Sequence, residues 1–178
     1  MIIHDTGIEG VTLIEPKVFG DERGFFLESF QEERYRDIIG NDLRFVQDNH
    51  SRSRKGVLRG LHFQKNKPQG KLVRCVSGSV FDVAIDIRKD SPTFGQWYGT
   101  ILSEENKHQL WVAPGLAHGF LVLSETADFE YKCTDYYDPS AEGCLIWNDE
   151  AVNIDWPKLD CEIQLSDKDA QGLQLGEL

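Results

Sequence analysis

Basic side chains able to hold an anion concentrate in one stretch of the chain. No acidic residue lies between Asp48 and Asp82, and the 33 intervening positions hold Arg52, Arg54, Lys55, Arg59, Lys65, Lys67, Lys71 and Arg74. The 178-residue chain as a whole carries 19 Lys and Arg against 30 Asp and Glu, a net charge of −11. A cationic segment in an anionic protein predicts a local pocket for a small anion such as a phosphate or diphosphate. Lys71 alternates with Val73 and Cys75, and an unpaired ammonium in an apolar row is costly to bury. A pocket that holds an anion resolves that conflict.

The overall acidity excludes a general nucleic-acid binder, which needs a basic surface to release counterions. No apolar run approaches 18 residues, so no membrane span is expected. Met1-Ile2-Ile3-His4-Asp5 does not read as a secretory leader, which makes the cytoplasm the expected compartment. Cys75, Cys133, Cys144 and Cys161 are too few and too scattered for a disulfide framework or a Cys-rich zinc site. They read as reduced thiols packed as small hydrophobes.

Strands must position these groups. Apolar alternation runs through Val57–Phe63 and Lys71–Val76. In Ser79–Arg88 the row Phe81, Val83, Ile85, Ile87 alternates with Asp82, Ala84, Asp86, Arg88. In Ala127–Tyr137 the row Ala127, Phe129, Tyr131, Cys133 alternates with Asp128, Glu130, Lys132, Thr134. Val11–Glu15, Phe25–Phe30, Trp97–Leu102 and His118–Leu123 are further strands, separated by Gly- and Pro-containing turns. Helix signals are confined to Gln31–Ile39 ended by Gly40, a turn capped by Ser103, and a last turn from Ser166. With no linker or repeat, residues 1–178 read as one all-β domain, a sandwich or barrel.

The segments Arg59-Gly60-Leu61-His62-Phe63 and Pro114-Gly115-Leu116-Ala117-His118-Gly119-Phe120 resemble the two motifs of the cupin double-stranded β-helix, a jelly-roll barrel. The first cupin motif supplies H-x-H for a metal, but Gln64 stands where the second histidine belongs. His62 and His118 alone are a poor ligand set, so no metal is expected.

Seven segments in order resemble the dTDP-4-dehydrorhamnose 3,5-epimerase family. Beyond Arg59–Gln64 and Pro114–Phe120 they are Phe19–Phe26, Gln47–Ser51, Gln69–Arg74, Tyr131–Tyr137 and Ser166–Asp169. Membership implies a metal-free, cofactor-free cupin barrel that works as a homodimer on a dTDP-4-keto-6-deoxy sugar and inverts C3 and C5. Inversion beside a ketone requires a base, an acid on the opposite face of the ring and a cation near the enolate oxygen. By this resemblance His62 is the base, oriented by Asp169, Tyr131 is the acid, and Lys71 faces the enolate. Arg23 and Arg59 grip the diphosphate through their planar forks, and Phe19 and Tyr137 stack on thymine. Glu28, Gln47, Asn49, His118 and Lys168 complete the substrate contacts, and Phe19, Arg23 and Glu28 reach the neighbouring subunit's site.

Three alternatives stay open on sequence. A relative inverting only C3 needs the same His62, Tyr131, Lys71 and Asp169. A metal-dependent cupin oxygenase or isomerase is disfavoured by the missing H-x-H. A non-catalytic sugar-binding cupin is disfavoured by the presence of base, acid and cation together.

Overall fold

The computed structural model describes residues 1–178. Its thirteen strands, in chain order, are β1 (Ile2–Asp5), β2 (Val11–Glu15), β3 (Val18–Asp21), β4 (Gly24–Leu27), β5 (Gln47–Arg54), β6 (Leu58–Gln64), β7 (Lys71–Ser77), β8 (Ser79–Asp86), β9 (Trp97–Ser103), β10 (Gln109–Val112), β11 (Leu116–Val122), β12 (Thr126–Cys133) and β13 (Glu142–Cys144). Two short helices, α1 (Glu32–Ile39) and α2 (Asp167–Ala170), and a 3₁₀ turn at Leu175–Glu177 complete it. A six-stranded sheet in the order β1-β2-β10-β7-β12-β5 faces a five-stranded sheet in the order β13-β6-β11-β8-β9. β3 and β4 form a separate hairpin. Every strand pair is antiparallel, giving the double-stranded jelly roll expected.

The core between the sheets follows from the period of two. Val73, Cys75, Leu110, Val112, Phe129 and Val11 from the larger sheet meet Val80, Ala84, Leu102, Phe120 and Val122 from the smaller. The outer faces are covered too. Helix α1 places Tyr35 and Ile39 against Ile14, Leu72 and Trp111 on the back of the larger sheet. Its ends are where the sequence puts them: Gln31 accepts from the Arg34 N–H, and Gly40 stops the helix at a φ of 101°. The chain after β13 brings Leu145, Val152 and Leu175 against Leu61, Val83, Ile85 and Ala117 on the back of the smaller sheet.

That second cover reverses the sense of the alternation in β8. Phe81, Val83 and Ile85 face outward beneath the C-terminal segment, while Asp82, in the opposite row with core-facing Val80 and Ala84, is fully buried. The strand from Phe25 stops at Leu27, and that from Ala127 stops at Cys133. Ser103 caps the expected turn, its Oγ accepting from the Asn106 N–H at 3.0 Å. Three cysteines are buried as small apolar groups, but Cys161 is exposed.

β6 and β11 approach closely enough to exclude side chains. A Cβ on Gly60 would lie 2.7 Å from the Gly119 Cα, and one on Gly119 would lie 2.6 Å from the Arg59 carbonyl oxygen. The pairing slips between His118 and Phe120 at this contact, and His62 and His118 end as direct cross-strand partners.

Candidate active site

One cavity of about 340 Å³ opens between the sheets. The larger sheet contributes Gln47, Asn49 and Ser51 from β5, Lys71 from β7, and Phe129 and Tyr131 from β12. The smaller contributes Arg59 and His62 from β6, His118 from β11 and Glu142 from β13. Gln69 and Tyr137 lie in the connecting segments. The imidazole therefore sits on one wall, and the phenol and ammonium on the other.

Asp169 holds His62 from behind, with Oδ1 2.5 Å from Nε2. The helix that carries it is only four residues long, and Ser166 caps it by accepting from the Asp169 N–H at 3.1 Å. Burial pushes the Asp169 carboxyl up, but the His62 hydrogen bond and ring charge outweigh burial and hold it below the usual carboxylate range. The carboxylate stays ionised against the ring.

On the facing wall, Lys71 Nζ lies 5.9 Å from the centre of the Tyr131 ring. Register explains the grouping: Cys133 pairs with Lys71, and Tyr131 pairs with both Val73 and Asn49. Burial pushes the Lys71 ammonium down and the Tyr131 phenol up. The phenol thus keeps its proton through the neutral range.

Polar contacts order the cavity rim. Gln47 accepts from the Tyr137 N–H at 2.9 Å and donates to Asn49 at 3.1 Å. Tyr137 donates to Glu142 at 2.6 Å, and Lys168 pairs with the same carboxylate. Arg59 donates to Ser53 at 2.9 Å.

Several expected site residues lie elsewhere. Arg23 pairs with Asp21 on the exposed β3–β4 hairpin, which also carries Phe19. Glu28 pairs with Arg34 at 2.8 Å. None of Phe19, Arg23 and Glu28 reaches this chain's own cavity. Lys168 lines a more open depression on the other side of His62, with Arg59, Ser166 and Asp169. The cationic run does not form one cluster either. Arg52 pairs with Asp128, Lys55 with Asp160 and Arg74 with Glu130, so of the eight basic residues only Arg59 and Lys71 face the cavity. Alternating strands send neighbouring charges to opposite faces, and Arg52, Lys55 and Arg74 each find a carboxylate there.

The sequence reading misses Asp82, Glu142, Ser51 and Gln69. Asp82 is fully buried and takes His118 Nε2 with both oxygens, at 2.9 and 3.0 Å. Its signal was present: an aspartate between Phe81 and Val83 in a strand buried on both faces needs an internal partner. Glu142 and Gln69 sit in or beside turns, where one sequence carries no comparable signal.

An imidazole–carboxylate pair across a jelly-roll cavity from a phenol and an ammonium defines a class: barrel enzymes equipped for acid–base chemistry on a small polar substrate. Comparison with known proteins narrows the class. The profile of the dTDP-4-dehydrorhamnose 3,5-epimerase family matches residues 5–177. A dTDP-4-dehydrorhamnose 3,5-epimerase of Salmonella typhimurium is 60% identical over 171 residues, 96% of this chain and 93% of that protein. The crystal structure of a dTDP-6-deoxy-D-glucose-3,5-epimerase from Legionella pneumophila, in complex with dTDP-4-keto-L-rhamnose, superposes with a TM-score of 0.95 at 58% identity, covering 98% of this chain and 93% of that one. A 3′-monoepimerase from Streptomyces bikiniensis, in complex with dTDP-quinovose, superposes at 0.91 with 36% identity, covering 97% and 87%. The chain belongs to the dTDP-4-dehydrorhamnose 3,5-epimerase family and is an isomerase with a cupin-like fold.

Proposed function

We propose that the chain epimerises dTDP-4-dehydro-6-deoxy-D-glucose at C3 and C5 to give dTDP-4-dehydro-L-rhamnose, with His62 as base and Tyr131 as acid. The observation that carries this reading is the placement of His62 and Tyr131 on facing walls of one cavity. Each inversion starts when the imidazole takes the proton beside the C4 ketone. Asp169 occupies one ring nitrogen and compensates the positive charge the ring acquires. The electron pair moves onto the ketone oxygen, where the Lys71 ammonium stabilises the enolate. Tyr131, protonated at neutral pH, returns a proton to the opposite face of the carbon. The imidazolium releases its proton to solvent and the phenolate regains one, so the cycle closes without net acid or base.

Binding is assigned to the rim. Arg59 takes the diphosphate, Tyr137 stacks on thymine, and Gln47, Asn49 and His118 hydrogen-bond the substrate. The working unit is a homodimer of the single 1–178 domain. In it the exposed hairpin with Phe19 and Arg23, together with Glu28, completes the neighbouring subunit's site, and Lys168 closes the substrate from the side of α2.

The test is turnover in heavy water, with deuterium located by NMR. Label at both C3 and C5 is expected. Label at C3 alone supports instead the single-inversion reading, which the likeness to the Streptomyces 3′-monoepimerase keeps specific. No label at either carbon refutes the assignment.

A further inference from the structure

We propose that His62, Asp169 and Cys144 form a site for one thiophilic divalent ion, with zinc as its natural probe, and that occupation of this site switches the enzyme off. The inference goes beyond the epimerase reading; only its inhibitory consequence rests on that reading. A ring nitrogen of His62, an Asp169 carboxylate oxygen and Cys144 Sγ all lie within 4.8 Å of one another. The His62–Asp169 contact is 2.5 Å, and Cys144 Sγ is 3.9 Å from the same carboxylate oxygen. A tetrahedral zinc, with bonds of about 2.0–2.3 Å, sets its ligand atoms roughly 3.3–3.6 Å apart. A shift of about 1 Å, widening the His62–Asp169 contact and drawing the sulfur inward, therefore creates the geometry.

The three ligands come from three elements held against one another. Cys144 on β13 is the cross-strand partner of His62 on β6, and α2 carries Asp169 to both. Cys144 is buried, and the other polar contact of its sulfur is a 3.5 Å approach to the Leu145 carbonyl. Cys144 lines neither the catalytic cavity nor the depression behind His62. Packing alone does not require its sulfur to face a carboxylate. The donor set of imidazole nitrogen, carboxylate oxygen and thiolate sulfur suits zinc and cobalt, not magnesium or calcium. The ion enters by the depression lined by Gln164, Ser166, Lys168 and Asp169, where the Lys168 charge is already paired with Glu142. On binding, the thiol proton leaves to solvent and the ion takes Nε2 and Asp169 out of their mutual hydrogen bond. The imidazole then lacks the carboxylate that orients it. The site shares His62 with the cupin motifs but not His118, which is held by Asp82.

Cobalt titration of the full chain tests binding without substrate, in a C161S background that removes the exposed thiol. The expected result is one equivalent bound, with a near-ultraviolet thiolate-to-cobalt charge-transfer band. C144S should lose the band, weaken zinc affinity at least tenfold in a chelator competition, and keep its deuterium exchange with zinc no longer inhibiting. With Cys144 present, zinc should inhibit reversibly on chelation, and magnesium should not. Absence of the band, its persistence in C144S, or equal zinc inhibition with and without Cys144 overturns the proposal. Should circular dichroism show C144S unfolded, D169N supplies the same arm: it should weaken cobalt binding at least tenfold, and unchanged binding overturns the proposal. Failure of the epimerase reading leaves the cobalt spectrum intact, so the two failures are distinguishable.

Discussion

Lys71 and Asp169 carry opposite energetic signs at the scale of single residues. Burial pushes the Lys71 ammonium down, so the fold holds that proton less well than the unfolded chain does. Its cost to stability is full below the folded value and disappears as pH rises toward the ordinary lysine range. We expect K71M to raise stability by roughly 1 kcal/mol at pH 7 while abolishing turnover. Thermal melts at pH 7 and pH 10, with the gap shrinking at the higher pH, check the sign. Asp169 behaves conversely. Its carboxyl is held down chiefly by His62 against the pull of burial, so its contribution is present above the unfolded carboxylate range and lost as pH falls through the lower folded value. D169N should cost about 2 kcal/mol at pH 7, the scale of a hydrogen bond to a charged group. In denaturant titrations the difference from the parent protein should close on the acid side, and an unchanging gap contradicts the pairing.

Elements decide whether those residues meet. Asp169 reaches His62 because Ser166 starts a single turn of helix at the right place. S166A removes that cap, worth about 1 kcal/mol. We expect kcat to fall several-fold with KM little changed, because in the proposed mechanism the cap orients the base and touches no substrate. An equal change in both constants contradicts that role. The elements carrying His62, Lys71 and Tyr131 were legible because their apolar positions alternate against a core. β5 was not: Gln47–Arg54 is polar throughout, and its pairing with β12 alone makes it a strand. β13 and β10 were hidden by shortness. The alternation in β8 revealed two rows but not which faced inward, because the cover over its outer face comes from the remote C-terminal segment. Asp82 was missed for that reason. Lys71 was legible because an ammonium within an apolar row has few physical resolutions.

For the whole molecule, the β3–β4 hairpin stands apart from both sheets. Phe25 and Phe26 are 62% and 69% exposed there, next to Arg23. Exposed aromatics beside a cation fit a surface completed by another copy. Mixing two inactive proteins tests this at the right scale. H62A lacks a working barrel but keeps its hairpin, and R23A has the reverse defect. In the proposed homodimer, a mixed pair contains one barrel with His62 that receives an intact hairpin. Co-refolding H62A with R23A should recover about a quarter of parental turnover, since half the dimers are mixed and each has one complete site. No recovery, with dimers confirmed by sedimentation, places the hairpin outside the site.

The carboxylate behind the base comes from residue 169 of 178, on the last α-helix of the chain. Strands β1 to β13 leave the ribosome first, so both sheets can pair before the dyad has a second member. The proposed dyad therefore waits for α2, and a chain that stops before residue 169 leaves the imidazole unaccompanied.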